Sequence, residues 1–235
     1  ENLAGVAKRD GPRIGIVSTW DVENNAVRIL AASLREAGHH CAEVYFKDWL
    51  SNHLDPATDI QLDNLVKIIR REQLNLVCIS IRASAYAEQA RVLTEYIHNE
   101  LDIPVLWGGM HPTLVGDECI EHADLILQGE GELAIVELAD RLSKGETIED
   151  TQNVWLRHST TQVTRNGLRP LVQNLDELAY RDYTTHEHKY FINGNSYTIG
   201  DPMKGDPVFQ MMGSRGCIYK CSYCYNSTYK KDVYP

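Results

Sequence analysis

The sequence predicts an α/β fold with a flavodoxin-like, doubly wound parallel sheet of five strands. Between residues 13 and about 144, short apolar runs alternate with segments whose apolar residues recur at helical spacing. The apolar runs are continuous, which is typical of parallel strands covered by helices on both faces. Of the 235 residues, 43% are hydrophobic and 24% are charged, so the chain can bury a core and is not predominantly disordered.

The predicted elements follow one another in regular order. The first strand covers residues 13–19, and the first helix covers 25–37 and stops at Gly38, a common C-terminal signal. The remaining strands are predicted at 41–46, 76–81, 104–107 and 124–128, and the remaining helices at 62–71, 86–99, 113–122 and 132–142. Ligands of such sheets bind beyond the carboxyl ends of the strands, so the loops after the strands are the candidate site.

The pattern changes after residue 144. Residues 153–158 and 162–165 predict a hairpin, residues 168–205 predict a connecting segment, and an apolar strand at 207–212 leads into a group of cysteines. About 30 residues are too few for a core of their own. The predicted division is therefore an N-terminal tail at 1–12, a first domain at 13–144, a hairpin and linker at 145–205, and the start of a truncated domain at 206–235.

Charge and hydropathy exclude two classes of protein. The formal net charge is −10 and the sequence pI is about 5.3, which argues against a general nucleic-acid binder. No apolar run approaches the ~20 residues of a membrane span. No secretory signal is recognisable, so the expected location is cytoplasmic.

The six cysteines fall into two groups. Three are scattered singly and are expected to pack in the core as small hydrophobic residues: Cys41, Cys78 and Cys119. The other three form a C-x3-C-x2-C triplet: Cys217, Cys221 and Cys224. A structural zinc site needs four protein ligands, whereas three thiolates suit an iron–sulfur cluster with one open iron. The triplet therefore favours iron–sulfur over zinc.

The triplet resembles the C-x3-C-x-aromatic-C signature of radical S-adenosylmethionine enzymes, with Tyr223 at the aromatic position. Residues 107–113 (WGGMHPT), 128–132 (QGEGE) and 174–178 (NLDEL) extend the resemblance to the cobalamin-dependent branch of that family. The resemblance implies a 4Fe–4S cluster on the three cysteines, S-adenosylmethionine on the open iron, and cobalamin in a Rossmann-like first domain. It also implies that the last residues begin a partial TIM barrel with its first strand and cluster loop.

The resemblance and the geometry of parallel sheets together indicate which residues contact the cofactors. The candidates are Ser18, Thr19, Arg82, Ala83, Ser84, Gly108, Gly109, His111, Gly129, Glu130, Gly131 and Tyr223. The glycines either leave room for a flat ligand with a nucleotide tail or only form tight turns. The histidine either hydrogen-bonds the tail or caps its loop, and Glu130 and Glu132 can instead cap the following helix.

One departure from the related cobalamin domains bears on the lower face of the cofactor. The Asp-x-His-x-x-Gly string that supplies a histidine to cobalt occurs nowhere in the sequence. The resemblance then implies cobalt without a histidine ligand and places Arg82 nearest to it. The alternative for Arg82 is a surface ion pair at the end of a strand.

The function implied is methyl transfer to an unactivated carbon through methylcobalamin and a 5′-deoxyadenosyl radical. The alternatives are a cyclase or rearrangement enzyme of the same branch, a non-catalytic cobalamin-binding module, and a zinc-stabilised interaction domain. A dinucleotide site is ranked lower, because Gly129-x-Gly131-x-x-Ala134 lies in the fifth strand–helix unit and the fingerprint belongs in the first. The expected partners are a small-molecule substrate and an external electron donor of the flavodoxin or ferredoxin type, without nucleic acid or membrane.

Overall fold

A computed structural model describes residues 11–47, 54–207 and 212–234. Its strands are β1 (Arg13–Thr19), β2 (His40–Phe46), β3 (Leu76–Ser80), β4 (Val105–Gly108), β5 (Leu125–Leu127), β6 (Val154–Arg157), β7 (Val163–Arg165), β8 (Lys189–Asn193) and β9 (Ser196–Ile199). Its α-helices are α1 (Asn25–Glu36), α2 (Asp59–Arg71), α3 (Ala87–Glu100), α4 (Met110–Leu114), α5 (Gly116–Cys119), α6 (Glu132–Lys144) and α7 (Tyr225–Thr228).

The nine strands form one sheet in the order β7-β6-β5-β4-β3-β1-β2-β8-β9. The five central strands are parallel and lie in the order 2-1-3-4-5, with β1 between β2 and β3. This order confirms the predicted α/β fold with a parallel, doubly wound sheet. Two separate apolar clusters cover the two faces, one with α2 and α3 and the other with α1 and α6.

Hairpins extend the sheet beyond five strands at both edges. The predicted hairpin forms β6 and β7, with β6 antiparallel to β5. At the other edge β8 pairs in parallel with β2, and β9 returns antiparallel to it. The segment expected to be only a connection therefore contributes two strands. Tyr190 and Ile192 of β8 are fully buried. By pairing with β2, the strand covers apolar surface at this edge of the central sheet.

A buried charge network attaches this second hairpin to the rest of the chain. Arg28 of α1 and Asp201, which follows β9, form a salt bridge in which both side chains are fully buried. The Lys189 ammonium lies 3.2 Å from Asp201 and 3.8 Å from Glu43 of β2. Charges without solvent are tolerated only when they are paired, so these residues fix where the hairpin docks.

Several predictions differ from the structure in detail. The single helix expected at 113–122 is two short helices, α4 and α5, which are separated at Val115 by a non-helical backbone. Most of the strand predicted at 207–212 and of the tail at 1–12 lies outside the described residues. Among the residues that are described, no helix is long and apolar enough to cross a membrane.

Candidate functional site

The carboxyl ends of β1 and β3 are tied together by one asparagine. The Asn24 amide donates hydrogen bonds to the hydroxyl oxygens of Ser18 (3.0 Å) and Ser80 (3.2 Å). The Ser18 hydroxyl in turn donates to the backbone carbonyl of Asp21 at 2.6 Å. Asn24 also caps α1 with its side-chain oxygen. Sequence reasoning missed this residue, and its only local signal was an N-cap residue type before a helix.

Buried polar atoms are left without partners just past the end of β1. The Thr19 hydroxyl and the Trp20 indole N–H are both buried, and neither has a hydrogen-bond partner among the described residues. Trp20 also has a φ of +51°, which a bulky residue rarely adopts. Such groups are uncommon in folded proteins and concentrate where a ligand completes the structure.

An ion pair links the same loop to the loop after β3. The Arg82 guanidinium lies 3.1 Å from a carboxylate oxygen of Asp21. The Asp21 side chain is only 6% exposed, whereas that of Arg82 is 55% exposed. Burial raises the pKa of Asp21, and the nearby Arg82 opposes that rise. The ion pair weighed as the alternative for Arg82 is therefore present, and it lies at the predicted edge of the sheet.

The glycine after β4 is explained by its own neighbours. Gly109 has a φ of +103°, and a Cβ there would lie 2.8 Å from the carbonyl oxygen of Ile81. That carbonyl accepts a hydrogen bond from the His111 backbone at 3.1 Å. The close packing of these two loops is thus one reason for a glycine here, and a path for a ligand tail beside Gly109 stays a prediction. His111 also shares a 3.0 Å hydrogen bond with the Ser84 hydroxyl, and burial lowers its pKa.

The loop after β5 is likewise filled by protein. Gly129 has a φ of +70°, and a Cβ there would overlap the hydroxyl of Tyr234. The Gly129 N–H donates to the Thr113 hydroxyl at 3.0 Å. The fully buried Asn153, at a φ of +71°, donates to the carbonyls of Gln128 (2.7 Å) and Glu130 (3.1 Å). Asn153 was also missed from the sequence, although asparagine is among the non-glycine residues that adopt this conformation most readily.

The two glutamates of this loop face a cation from far along the chain. Arg215 donates to a carboxylate oxygen of Glu130 at 2.8 Å and to one of Glu132 at 2.5 Å. The other oxygen of Glu130 accepts from the Val172 backbone at 2.6 Å. Neither glutamate caps α6 with its side chain, because Gly131 is the N-cap residue and no side chain bonds there. Glu132 nevertheless lies in the first turn of α6, where a carboxylate is favoured by the helix N-terminus, so this alternative holds for Glu132 without a capping hydrogen bond.

The cysteine triplet lies in an exposed turn before α7. Cys221 is exposed and Cys217 and Cys224 are half-buried. The Cys224 N–H donates to the Cys221 carbonyl at 3.1 Å, and the Ser227 hydroxyl donates to the same carbonyl at 3.0 Å. The Tyr223 side chain is 90% exposed and faces solvent. The three cysteines of the turn are thus all at least partly accessible to solvent.

The other three cysteines are confirmed as core residues. Cys41, Cys78 and Cys119 are all buried. Burial raises the pKa of Cys41, and it raises the pKa of Cys78 and of Cys119 to about 12. Such thiols stay protonated at neutral pH and are poor metal ligands.

Two histidines and a glutamate lie close together at the opposite end of the sheet. They do not form a metal site comparable to the cysteine triplet. His40 and His188 each approach Glu72, at 2.9 and 3.0 Å. The Arg13 guanidinium lies 3.1 Å from the same ring nitrogen of His40. A second group, of two carboxylates and a histidine, surrounds the ammonium of Lys189. Protein cations thus already neutralise both carboxylate groups.

Comparison with known proteins gives one family and two relatives. A family model described as the B12 binding domain matches residues 13–139. An uncharacterized methyltransferase of Pyrococcus horikoshii is 29% identical over 176 residues, which is 73% of this chain. The hopanoid C-3 methylase of Methylococcus capsulatus is 25% identical over 213 residues, or 86% of this chain. The chain spans 36% of the length of each relative.

Solved structures share the fold. The radical S-adenosylmethionine methyltransferase TsrM of Kitasatospora setae, with cobalamin and a [4Fe-4S] cluster bound, aligns with a TM-score of 0.55 at 16% identity, covering 71% of this chain and 31% of that one. The cobalamin-dependent S-adenosylmethionine radical enzyme OxsB, with aqua-cobalamin and S-adenosylmethionine bound, aligns at 0.53 and 15% identity, covering 69% of this chain and 23% of that one. At these identities the likeness concerns the fold.

Proposed function

The chain belongs to the B12-binding domain family over residues 13–139, and on this premise we propose that it is the cobalamin-binding part of a cobalamin-dependent radical S-adenosylmethionine methyltransferase. One observation carries the proposal: the family domain is followed, in the same chain, by the C-x3-C-x2-C triplet at Cys217–Cys224. The two curated relatives, a methyltransferase and a methylase, support methyl transfer as the reaction class.

The residues past β1 and β3 fit a large polar ligand. The buried Thr19 hydroxyl and Trp20 N–H lack partners at this edge, and the Arg82 side chain is half-exposed beside them. A ligand rich in amide groups, such as the corrin periphery, offers acceptors and donors for all three. We propose that these residues, with Ser18, Ala83 and Ser84, hold the cofactor, which when bound supplies a cobalt centre able to accept and release a methyl group.

The remaining candidates have supporting roles in this proposal. Gly109 allows two loops to approach each other closely, Gly108 and Gly131 lie in or next to the loops after β4 and β5, and the Ser84 hydroxyl orients the His111 ring by a hydrogen bond at Nδ1. The Asp21–Arg82 pair keeps this edge of the sheet close to neutral. We propose a cobalt without a histidine ligand from this chain, because the Asp-x-His-x-x-Gly string is absent from the sequence.

The last part of the chain carries the cysteine turn, which we propose as the site of an iron–sulfur cluster. Cys217, Cys221 and Cys224 would hold a 4Fe–4S cluster that supplies an electron to S-adenosylmethionine. A longer protein would add the rest of the barrel, a small-molecule substrate site and a surface for an external electron donor. The reducing cytoplasm suits a cluster with one iron open to solvent.

Two measurements test the proposal. Titration with hydroxocobalamin should change the visible spectrum of the bound cofactor and saturate at one equivalent, and the cobalt(II) form should show no nitrogen splitting from an axial imidazole. Failure to bind cobalamin, or an imidazole signal, would contradict the assignment of the first domain.

Anaerobic reconstitution should give about four irons per chain. Replacing Cys217, Cys221 or Cys224 by Ala should abolish iron binding, whereas the buried Cys119→Ala variant should retain it. Tightly bound zinc in place of iron would favour the zinc-stabilised alternative.

A further inference from the structure

Two sequence motifs that are distant in the chain meet at one arginine. Glu130 and Glu132 belong to the loop after β5, and Arg215 lies two residues before the first cysteine of the triplet. The guanidinium reaches both carboxylates, at 2.8 and 2.5 Å. The three side chains are 14%, 7% and 28% exposed, so this is a partly buried interface rather than a surface contact.

The arrangement needs its cation. Two carboxylates two residues apart repel each other when they are shielded from water. The planar guanidinium offers separate N–H donors to each, which a lysine ammonium matches poorly. Burial alone would lower the pKa of Arg215, but Glu132 and Glu130 outweigh burial and raise it. Without Arg215 the loop would carry two poorly solvated negative charges.

The loop after β5 is also contacted by a residue that follows the cysteine turn in the chain. Tyr234 packs on Gly129 with its hydroxyl buried, and its ring contacts that of Tyr229 in a tilted arrangement with the centroids 5.1 Å apart. The linker joins as well, through the Val172 N–H on Glu130. The cysteines thus lie between two anchor points, Arg215 before them and Tyr234 after them, and both anchors hold to the loop after β5.

We propose that Arg215 is a positioning residue that fixes the cysteine-bearing turn to the loop at residues 129–132 of the cobalamin domain. By this contact the two cofactor sites keep one fixed relation to each other. The functional part of this inference rests on the proposed function, but the contact itself does not.

Hydrogen exchange tests the contact without any cofactor. In the Arg215→Gln variant, the amides of the segment 212–234 and of Val172 should exchange about tenfold faster than in the wild type, because charge-assisted hydrogen bonds are lost. Arg91→Gln is the matched control, since Arg91 also bridges two glutamates, Glu88 and Glu95, but on exposed α3. In the Arg91→Gln variant, the amides of the segment 212–234 should exchange at the wild-type rate.

Charge reversal separates pairing from side-chain volume. Arg215→Glu should accelerate exchange further, because three carboxylates then meet. The triple variant that also carries Glu132→Arg and Glu130→Gln should regain the protection of these amides from hydrogen exchange. Equal exchange in the wild type and Arg215→Gln, or no restoration by the triple change, would overturn the proposed contact.

Electron paramagnetic resonance tests the consequence for the two cofactors. In the reconstituted, cobalamin-loaded chain, cobalt(II) should speed the relaxation of the reduced cluster, and Arg215→Gln should weaken this effect at unchanged iron content. Loss of iron in parallel would reduce Arg215 to a structural role in the cluster turn and contradict positioning. If the wild type fails to bind cobalamin, the proposed function fails, while the exchange result still decides the contact.

Discussion

The backbone at Gly109 approaches that of Ile81 so closely that a Cβ on the glycine would lie 2.8 Å from the isoleucine carbonyl oxygen. The two residues directly follow the neighbouring strands β3 and β4, and the Ile81 N–H donates to the Gly108 carbonyl at 2.7 Å. The glycine therefore serves the packing of the two loops. Substitutions at Gly109 report on folding first, and they are unsuitable as a direct probe of ligand binding.

A side chain at Gly109 should consequently destabilise the fold. Gly109→Ala combines a positive φ with a backbone clash, and it should lower the free energy of unfolding by about 2–4 kcal/mol. Urea denaturation followed by circular dichroism measures this. Gly167→Ala is the control, because a Cβ there meets nothing within 4 Å. Equal stabilities of the two variants would contradict the close approach.

Removal of the Thr19 hydroxyl should affect binding rather than stability. Thr19→Val keeps the shape of a side chain whose hydroxyl has no partner, so the free energy of unfolding should stay within about 1 kcal/mol of the wild type. Cobalamin affinity should fall about three- to tenfold, as expected for one lost hydrogen bond. Thr151 is also buried with an unpartnered hydroxyl but is not a predicted contact. A fall in affinity as large for Thr151→Val would show that the effect is not specific to the site.

The six thiols should divide into two equal classes in the metal-free protein. Cys221 is exposed and Cys217 and Cys224 are partly exposed, so all three should react with a thiol reagent such as Ellman's within minutes at pH 8. Cys41, Cys78 and Cys119 are buried, and their raised pKa values keep them protonated. They should react only after denaturation. Rapid reaction of more than three thiols in the native chain would contradict the fold around the first domain.

Acid should weaken the attachment of the linker through Asp182. Burial alone would raise the pKa of this carboxyl, but hydrogen bonds from Thr184 and the charges of Lys189 and Arg35 lower it to about 2. A pKa lowered by folding contributes stability above about pH 4, the unfolded value, and the contribution is lost as the pH falls toward 2.

When the pH falls from 5 to 3, the free energy of unfolding of Asp182→Asn should therefore decrease by about 1 kcal/mol less than that of the wild type. This figure allows for the partial exposure of Asp182. Urea titrations at both pH values measure the difference. Asp102→Asn, at an exposed position, should follow the wild type. An acid response of Asp182→Asn that matches the wild type would show that the carboxyl is not held in its charged form.

Much of the central fold could be predicted because its signals are local. The first predicted strand has the observed bounds, Arg13–Thr19, and the other central strands agree to within a residue or two at each end. The period of apolar residues reports which faces of an element are buried, and this depends only on neighbours along the chain. The loops of the candidate site follow from strand direction alone.

The parallel sheet, the family resemblance, and the division of the cysteines into core residues and a triplet could all be predicted from the amino-acid order alone. Three features became visible only in the folded chain: Lys189 is buried in a charge network beside Glu43, Gly109 packs against Ile81, and Arg215 pairs with Glu130 and Glu132. The physical reason is that burial of a charge or a backbone clash depends on groups brought together from distant parts of the chain. No local pattern encodes such a meeting, because each residue alone is compatible with an ordinary exposed position.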